Sequence, residues 1–218
     1  VFGTMADIDE LIAAAHQRDL KVMLDWVPNH TSDQHPWFLE SRSSRGSAKR
    51  DWYVWREGTP DALPNDWRRA FPPGEAAWSW DEETQAWFLH LFSPAQPDLN
   101  WDHPEVPDAM LDTLRFWLDR GVDGFRMDVV HLIGKGSTLP ELTPDEQQAP
   151  VAFVDVPATH GHLRDIRALL DSYDGDRSSV GEVYLLDPER VATYYGDDDE
   201  LHLSFNFTPL FSRWRAES

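Results

Sequence analysis

Three short apolar runs, each carrying an acidic residue near its end, constrain the fold of this 218-residue chain more than any other feature. The runs are KVMLDW (21–26), VDGFRMDVV (122–130) and SSVGEVYLL (178–186), and their acids are Asp25, Asp128 and Glu182. Runs of this length and composition are typical of buried parallel strands. Because parallel strands end at the same edge of a sheet, the three carboxylates are expected to converge there.

Amphipathic segments lie before and between these runs. Residues 5–18, 107–121 and 160–172 place apolar side chains at helical spacing, and Gly121 marks the end of the second segment. A last apolar run at 201–207 predicts a fourth strand. Alternation of helix and strand predicts an α/β fold with a parallel sheet.

The segment from residue 31 to residue 102 differs from the rest of the chain. It is rich in Trp, Pro, Gly and charge and shows no sustained helical period, although WFLHLF (87–92) predicts a strand. A stretch of this length without periodicity is typical of a functional insertion. We therefore predict a division into 1–30, an insertion domain at 31–102, and 103–218, with a Pro-rich loop at 136–158.

Composition narrows the classes of partner and site. A formal net charge of -20 disfavours binding to nucleic acid or to anionic membrane surfaces. The chain has no cysteine, so disulfides and thiolate metal sites are excluded, and no run reaches the ~20 apolar residues of a membrane-spanning helix. The first residues lack an initiator Met and a basic leader, so we predict that both ends are cuts and that the protein is cytoplasmic.

Four strings carry a resemblance to a known family. DWVPNH (25–30), QPDLNW (96–101), GFRMDVVH (124–131) and GEVY (181–184) resemble, in order and spacing, four signature regions of the α-amylase family of glycoside hydrolases. The flanking sequence resembles the oligo-1,6-glucosidase and α-glucosidase branch. The resemblance implies about strands three to six of a TIM (β/α)8 barrel, with the insertion domain after the third strand.

The resemblance also implies a retaining hydrolysis that uses two carboxyl groups ~5 Å apart. Asp128 matches the catalytic nucleophile and Glu182 matches the catalytic acid/base. Arg126, two residues before Asp128 on the same side of the strand, is expected to donate hydrogen bonds that keep Asp128 ionised. An apolar wall and a neighbouring anion would favour the protonated form of Glu182 that an acid requires.

Four further positions are implied to contact or shape the substrate. His30 matches a histidine that hydrogen-bonds the sugar before the scissile bond, and Asp25 matches a supporting acid. Val129, next to the nucleophile, is associated in this branch with α-1,6 preference, although one or two methyl groups discriminate by only ~1–3 kcal/mol. His131 either lines the leaving-group side or is a polar residue at a helix start.

Several parts of the family's barrel have no counterpart in this chain. Nothing resembles the first two strands, which bring a calcium loop, or the seventh strand, which brings a third essential carboxylate. We therefore expect no metal site and no cofactor in this chain, and a requirement for the remainder of the barrel. Four strands alone would expose two sheet edges, so the chain by itself is expected to hydrolyse nothing measurable.

Three other functions remain open at the level of sequence. An isomerase or transglucosidase, such as a trehalose synthase or sucrose isomerase, would share the same covalent intermediate. A non-catalytic heavy chain of an amino-acid transporter would carry a membrane helix and commonly lose the catalytic acids. A carbohydrate-binding module would show stacking aromatics without the paired acids, so Asp128 together with Glu182 argues against it.

Overall fold

The computed structural model describes residues 3–70, 74–136, 156–185 and 187–211, so most of the predicted loop at 136–158 lies outside the described residues. The helices are α1 (Met5–His16), α2 (Pro36–Ser43), α3 (Glu105–Leu118), α4 (Pro157–Asp171), α5 (Pro188–Ala192) and α6 (Thr208–Phe211). The strands are β1 (Met23–Trp26), β2 (Trp55–Glu57), β3 (Trp78–Asp81), β4 (Ala86–Leu89), β5 (Gly124–Met127), β6 (Ser178–Gly181) and β7 (Leu203–Ser204).

The chain forms two compact units. Unit one comprises residues 1–26, 109–128 and 160–218, and unit two comprises residues 27–108 and 129–159.

Unit one contains a four-stranded sheet in the order β1-β5-β6-β7, in which all neighbouring strands are parallel. This arrangement confirms the predicted α/β class with a parallel sheet. Its buried core draws on α1, α3, β5 and α4 through Ile12, Leu114, Phe125, Met127 and Leu163. Within the described residues, β1 and β7 each have one unpaired edge, and Met23 and Leu203 are largely exposed there.

Gly124 lets two strands of unit one approach closely. It is paired with Ser178, and a Cβ atom at this position would lie 2.4 Å from the Ser178 carbonyl oxygen. A side chain larger than hydrogen would therefore force β5 and β6 apart. Gly124 and Ser178 form the first pair of these two strands, and Asp128 and Glu182 follow the last pair, Met127 with Gly181.

Unit two contains a three-stranded antiparallel sheet in the order β2-β4-β3. The sequence predicted only one of these strands, at 87–92, and an irregular path elsewhere. The others form because aromatic side chains pack across the sheet and against helix α2. Trp80 lies 5.3 Å from Trp87 on the neighbouring strand, and Trp55 stacks on Phe38 of α2 at 5.9 Å. The Trp-rich composition of the insertion is thus explained mainly by a small aromatic core.

Candidate active site

The acidic residues of unit one lie at one end of its parallel sheet. Asp25 is on β1 and pairs in register with Arg126 of β5, whereas Asp128 and Glu182 directly follow β5 and β6. The backbone N–H of Asp128 donates to the Trp26 carbonyl oxygen at 2.9 Å, which fixes the chain beyond the strand end. The N–H of Glu182 donates to the Met127 carbonyl at the same distance. The predicted convergence of the three carboxylates is confirmed.

One guanidinium group joins the three acids. Nη1 of Arg126 donates to Asp128 Oδ1 at 2.6 Å and to Asp25 Oδ1 at 2.8 Å, while Nη2 donates to Glu182 Oε2 at 2.5 Å. The side chains of Asp128 and Glu182 are 22% and 19% exposed, so both remain accessible to a ligand, and that of Asp25 is 58% exposed. This arrangement holds two partly buried carboxyl groups against one shared cation.

The charge of Arg126 is stabilised by its surroundings. Burial lowers its pKa, but the hydrogen bonds to Asp25 and Asp128 and the charge of Glu182 outweigh burial and raise the pKa overall. Arg126 therefore stays a cation across the working range of any enzyme. It offsets much of the repulsion that three clustered carboxylates would otherwise feel.

His30 belongs to unit two and lies in a buried polar network. Its Nδ1 is 3.2 Å from Asn29 Nδ2, its Nε2 is 2.9 Å from Gln96 Nε2, and its ring contacts Phe92 at 5.3 Å. The backbone of His30 also forms a bridge with Asp98. The ring is thus held in place by Gln96 and Asp98 of QPDLNW, one of the four strings that carry the family resemblance.

Lys135 is the residue of this network that sequence reasoning missed. Its ammonium lies 2.6 Å from Asn29 Oδ1 and 3.1 Å from Asp98 Oδ2, and it donates to the Leu132 carbonyl. Burial lowers the pKa of Lys135, and the carboxylate of Asp98 opposes that shift. No sequence signal marks Lys135, because residues 29, 98 and 135 meet only in the folded chain.

The comparisons with known proteins identify the family. Residues 1–217 match the alpha-amylase catalytic domain. The chain belongs to the α-amylase family.

Curated relatives and a solved structure agree with this membership. The chain is 45% identical to an alpha-glucosidase of Schizosaccharomyces pombe and 42% identical to an oligo-1,6-glucosidase of Bacillus cereus, in each case over 94% of this chain and 37% of the relative. The crystal structure of the alpha-glucosyl transfer enzyme XgtA matches with a TM-score of 0.85 at 39% identity, covering 94% of this chain and 41% of XgtA. The chain therefore spans less than half the length of these proteins, and its α/β fold is part of a TIM barrel.

Val129, next to Asp128 in sequence, has an unusual backbone. Its φ of 37° and ψ of 41° fall in the left-handed region, which β-branched residues rarely adopt. The side chain is buried in the apolar cluster of unit two, which also contains Leu132, Trp67 and Leu89. The left-handed backbone of Val129 costs of order 1–3 kcal/mol. Burial of the Val129 side chain offsets this cost.

His131 is fully buried in the short 3₁₀ turn Val130–Leu132. This burial agrees better with the interpretation of His131 as a polar residue at a helix start. Contact of His131 with a leaving group stays a prediction.

A cluster of aromatic side chains at the same end of the sheet as Asp128 and Glu182 was not singled out from the sequence. The ring of Tyr184 lies 4.7 Å from that of Phe207, and Phe205 lies 6.1 Å from Phe207. The N–H of Phe205 donates to the Gly181 carbonyl, which places the cluster beside the strand end that precedes Glu182. Phe205 is 41% exposed, so a sugar ring could stack there. The signal that could have revealed this cluster is the placement of aromatic residues in GEVY (181–184) and LSFNF (203–207). These two strings lie at the ends of β6 and β7, which are neighbours in the sheet.

The described residues hold no group of three or more His, Cys, Asp or Glu side chains suited to a metal ion. Within the same ranges, no helix is long and apolar enough to cross a membrane. The absence of a cofactor stays a prediction.

Proposed function

We propose that this chain is the catalytic part of a retaining, exo-acting α-glucosidase that removes terminal glucose from short oligosaccharides. The observation that carries the proposal is the pair of partly exposed carboxyl groups, Asp128 and Glu182, on one guanidinium. Because the chain spans under half of its relatives, we assign the activity to the complete polypeptide. The remaining barrel strands would supply the rest of the substrate site.

The chemistry proceeds in two balanced steps. The carboxylate of Asp128 attacks the anomeric carbon while Glu182 gives its proton to the leaving glycosidic oxygen, so one C–O bond forms as another breaks. A water molecule then attacks the glucosyl ester, and Glu182 takes the proton from that water as Asp128 departs. Two inversions restore the α configuration.

Arg126 supports both acids in this proposal. Its hydrogen bonds to Asp25 and Asp128 hold the nucleophile carboxylate in one orientation, as attack requires. Asp25 acts on Arg126 rather than on the sugar, because it is bonded to the same nitrogen as Asp128. His30 would hydrogen-bond the glucose unit, and the cluster of Tyr184, Phe205 and Phe207 offers a stacking surface beside the strand end that precedes Glu182.

We assign the bond preference to α-1,6, with α-1,4 as the alternative. The support is Val129, whose branched side chain directly follows the nucleophile, and the similarity to oligo-1,6-glucosidases. A change of one or two methyl groups changes discrimination by only ~1–3 kcal/mol, so the preference is expected to be partial.

A glucosyl transferase or isomerase is the second candidate. It is favoured by the match to XgtA, named an alpha-glucosyl transfer enzyme. Such an enzyme would form the same ester on Asp128 but pass the glucosyl group to a sugar hydroxyl instead of water. A non-catalytic transporter heavy chain is disfavoured, because both catalytic acids are present and share Arg126.

The deciding experiment follows the first-formed products by NMR. The complete polypeptide is supplied with isomaltose or maltose, and an Asp128→Asn variant serves as the control. Release of α-glucose that later mutarotates, lost in the control, supports the hydrolase. Products with a new glucosidic bond support the transferase, and β-glucose as the first product would refute retention.

A further inference from the structure

Lys135 determines the orientation of the Asn29 side chain. The Lys135 side chain is 4% exposed, and its Nζ can only donate to the oxygens around it. It lies 2.6 Å from Asn29 Oδ1, so the oxygen of that amide, and not its nitrogen, faces Lys135.

The other end of Asn29 is fixed as well. Its Nδ2 donates to Asp98 Oδ2 at 3.2 Å, and a carboxylate can only accept. Rotating the amide by half a turn would place its N–H₂ against an ammonium and its oxygen against a carboxylate. Asn29 Nδ2 therefore presents a hydrogen to His30 Nδ1, 3.2 Å away.

We propose that Lys135, acting through Asn29, holds His30 as the tautomer with its proton on Nε2. A neutral imidazole has one donor and one acceptor nitrogen, so accepting from Asn29 at Nδ1 leaves the hydrogen on Nε2. Lys135 is then a positioning residue: it touches no substrate, but it decides which nitrogen of His30 can donate.

Gln96 is a competing determinant. Its amide nitrogen lies 2.9 Å from His30 Nε2, and donation from that nitrogen would require the opposite tautomer. The opposite tautomer would direct an N–H of His30 at the N–H₂ of Asn29. Hydrogen bonds to charged groups are roughly twice as strong as neutral ones, so Asn29 keeps its orientation and the terminal amide of Gln96 rotates to present its oxygen.

The consequence for sugar binding rests on the proposed function. A glucose hydroxyl would accept a hydrogen bond from His30 Nε2–H and take the place of the Gln96 oxygen. The tautomer itself does not depend on that function, so the two ideas can fail separately.

The test reads the His30 tautomer directly in the complete polypeptide. Histidine is labelled with ¹⁵N, and the His30 ring signals are identified by their loss in a His30→Gln variant. Long-range ¹H–¹⁵N correlation distinguishes a protonated from an unprotonated ring nitrogen. We expect a protonated Nε2 and an unprotonated Nδ1, and a protonated Nδ1 would overturn the proposal.

Two matched variants separate Asn29 from Gln96. The Asn29→Asp substitution keeps the contact with Lys135, but a carboxylate can only accept hydrogen bonds. Nδ1 of His30 should therefore gain a proton in this variant. Gln96→Met removes the competing amide and should leave the tautomer unchanged. If Gln96→Met moves the proton and Asn29→Asp does not, Gln96 is the determinant and the proposal fails.

Lys135→Met then tests the origin of the effect. Loss of the ammonium frees Asn29 to rotate, so His30 should show both tautomers in exchange, and kcat/KM should fall about 10–100-fold, as is usual for residues that orient a site. If the variant unfolds, the Asn29 and Gln96 variants still decide the assignment. A folded Lys135→Met protein with an unchanged, single tautomer would contradict the role of Lys135.

Discussion

The Nη2 atom of Arg126 lies 2.5 Å from Oε2 of Glu182, the residue proposed as the proton donor. Nη1 of the same guanidinium lies 2.6 Å from Oδ1 of Asp128, the proposed nucleophile. One planar group therefore positions both proposed catalytic acids, which follow two different strands.

Replacing Arg126 with lysine should leave the site nearly inactive. A single ammonium cannot reproduce a planar group that bonds three carboxylates from two nitrogens. We expect kcat of the complete polypeptide to fall roughly 10²–10³-fold, the range seen when one aligned donor is lost. Arg115→Lys, on an exposed i,i+3 pair of α3, is the matched control and should retain full activity.

The two acids should respond differently to azide. Asp128→Ala opens a space on the nucleophile's face, so azide should restore turnover and give β-glucosyl azide. Glu182→Ala still forms the ester with an activated substrate, so azide should attack from the opposite face and give α-glucosyl azide. The anomer is read from the proton coupling constant of each product. The same anomer from both variants would contradict the assigned roles.

The sequence predicted the strands of unit one because each is a short apolar run, and three of the four runs also carry an acid. The site followed, since three acids at parallel strand ends had to meet. The antiparallel sheet of unit two was largely missed because its strands depend on aromatic partners from distant positions, such as Phe38 with Phe88. Lys135 was missed for the same reason, because its two side-chain partners, Asn29 and Asp98, are far away in sequence and meet it only through folding.

Two glycines of unit one test whether the close approach of β5 and β6 limits stability. Gly124→Ala places a Cβ 2.4 Å from a backbone oxygen that cannot move independently of β6. We expect a destabilisation of roughly 1–3 kcal/mol, measured from the urea midpoint. Gly161→Ala, in helix α4 with nothing within 4 Å, should instead stabilise by about 0.4–1 kcal/mol. Equal effects at both positions would mean that the close approach of β5 and β6 does not limit stability.

The stability of unit two should depend on pH through Asp81. Burial raises the pKa of this side chain, but bonds from the Thr84 hydroxyl and N–H and from Arg42 outweigh burial and lower the pKa overall. A lowered folded-state pKa means that the stabilisation is present above the unfolded value of 3.8 and is lost as the pH falls through the folded value. Asp81→Asn should thus cost about 1–3 kcal/mol at pH 7 and progressively less in acid. Glu83→Gln, exposed and two residues away, should show no such dependence in urea titrations at several pH values.

The isolated 218-residue chain is expected to show no measurable hydrolysis. Its parallel sheet has four strands in the described residues, whereas a TIM barrel closes with eight, and both outer strands carry exposed apolar side chains at Met23 and Leu203. The catalytic acids would then face solvent without the substrate groups that the other strands supply. The purified chain is assayed on isomaltose and maltose beside its Asp128→Asn variant. Turnover that is present in the chain and absent in the variant would show that half of the barrel suffices for catalysis.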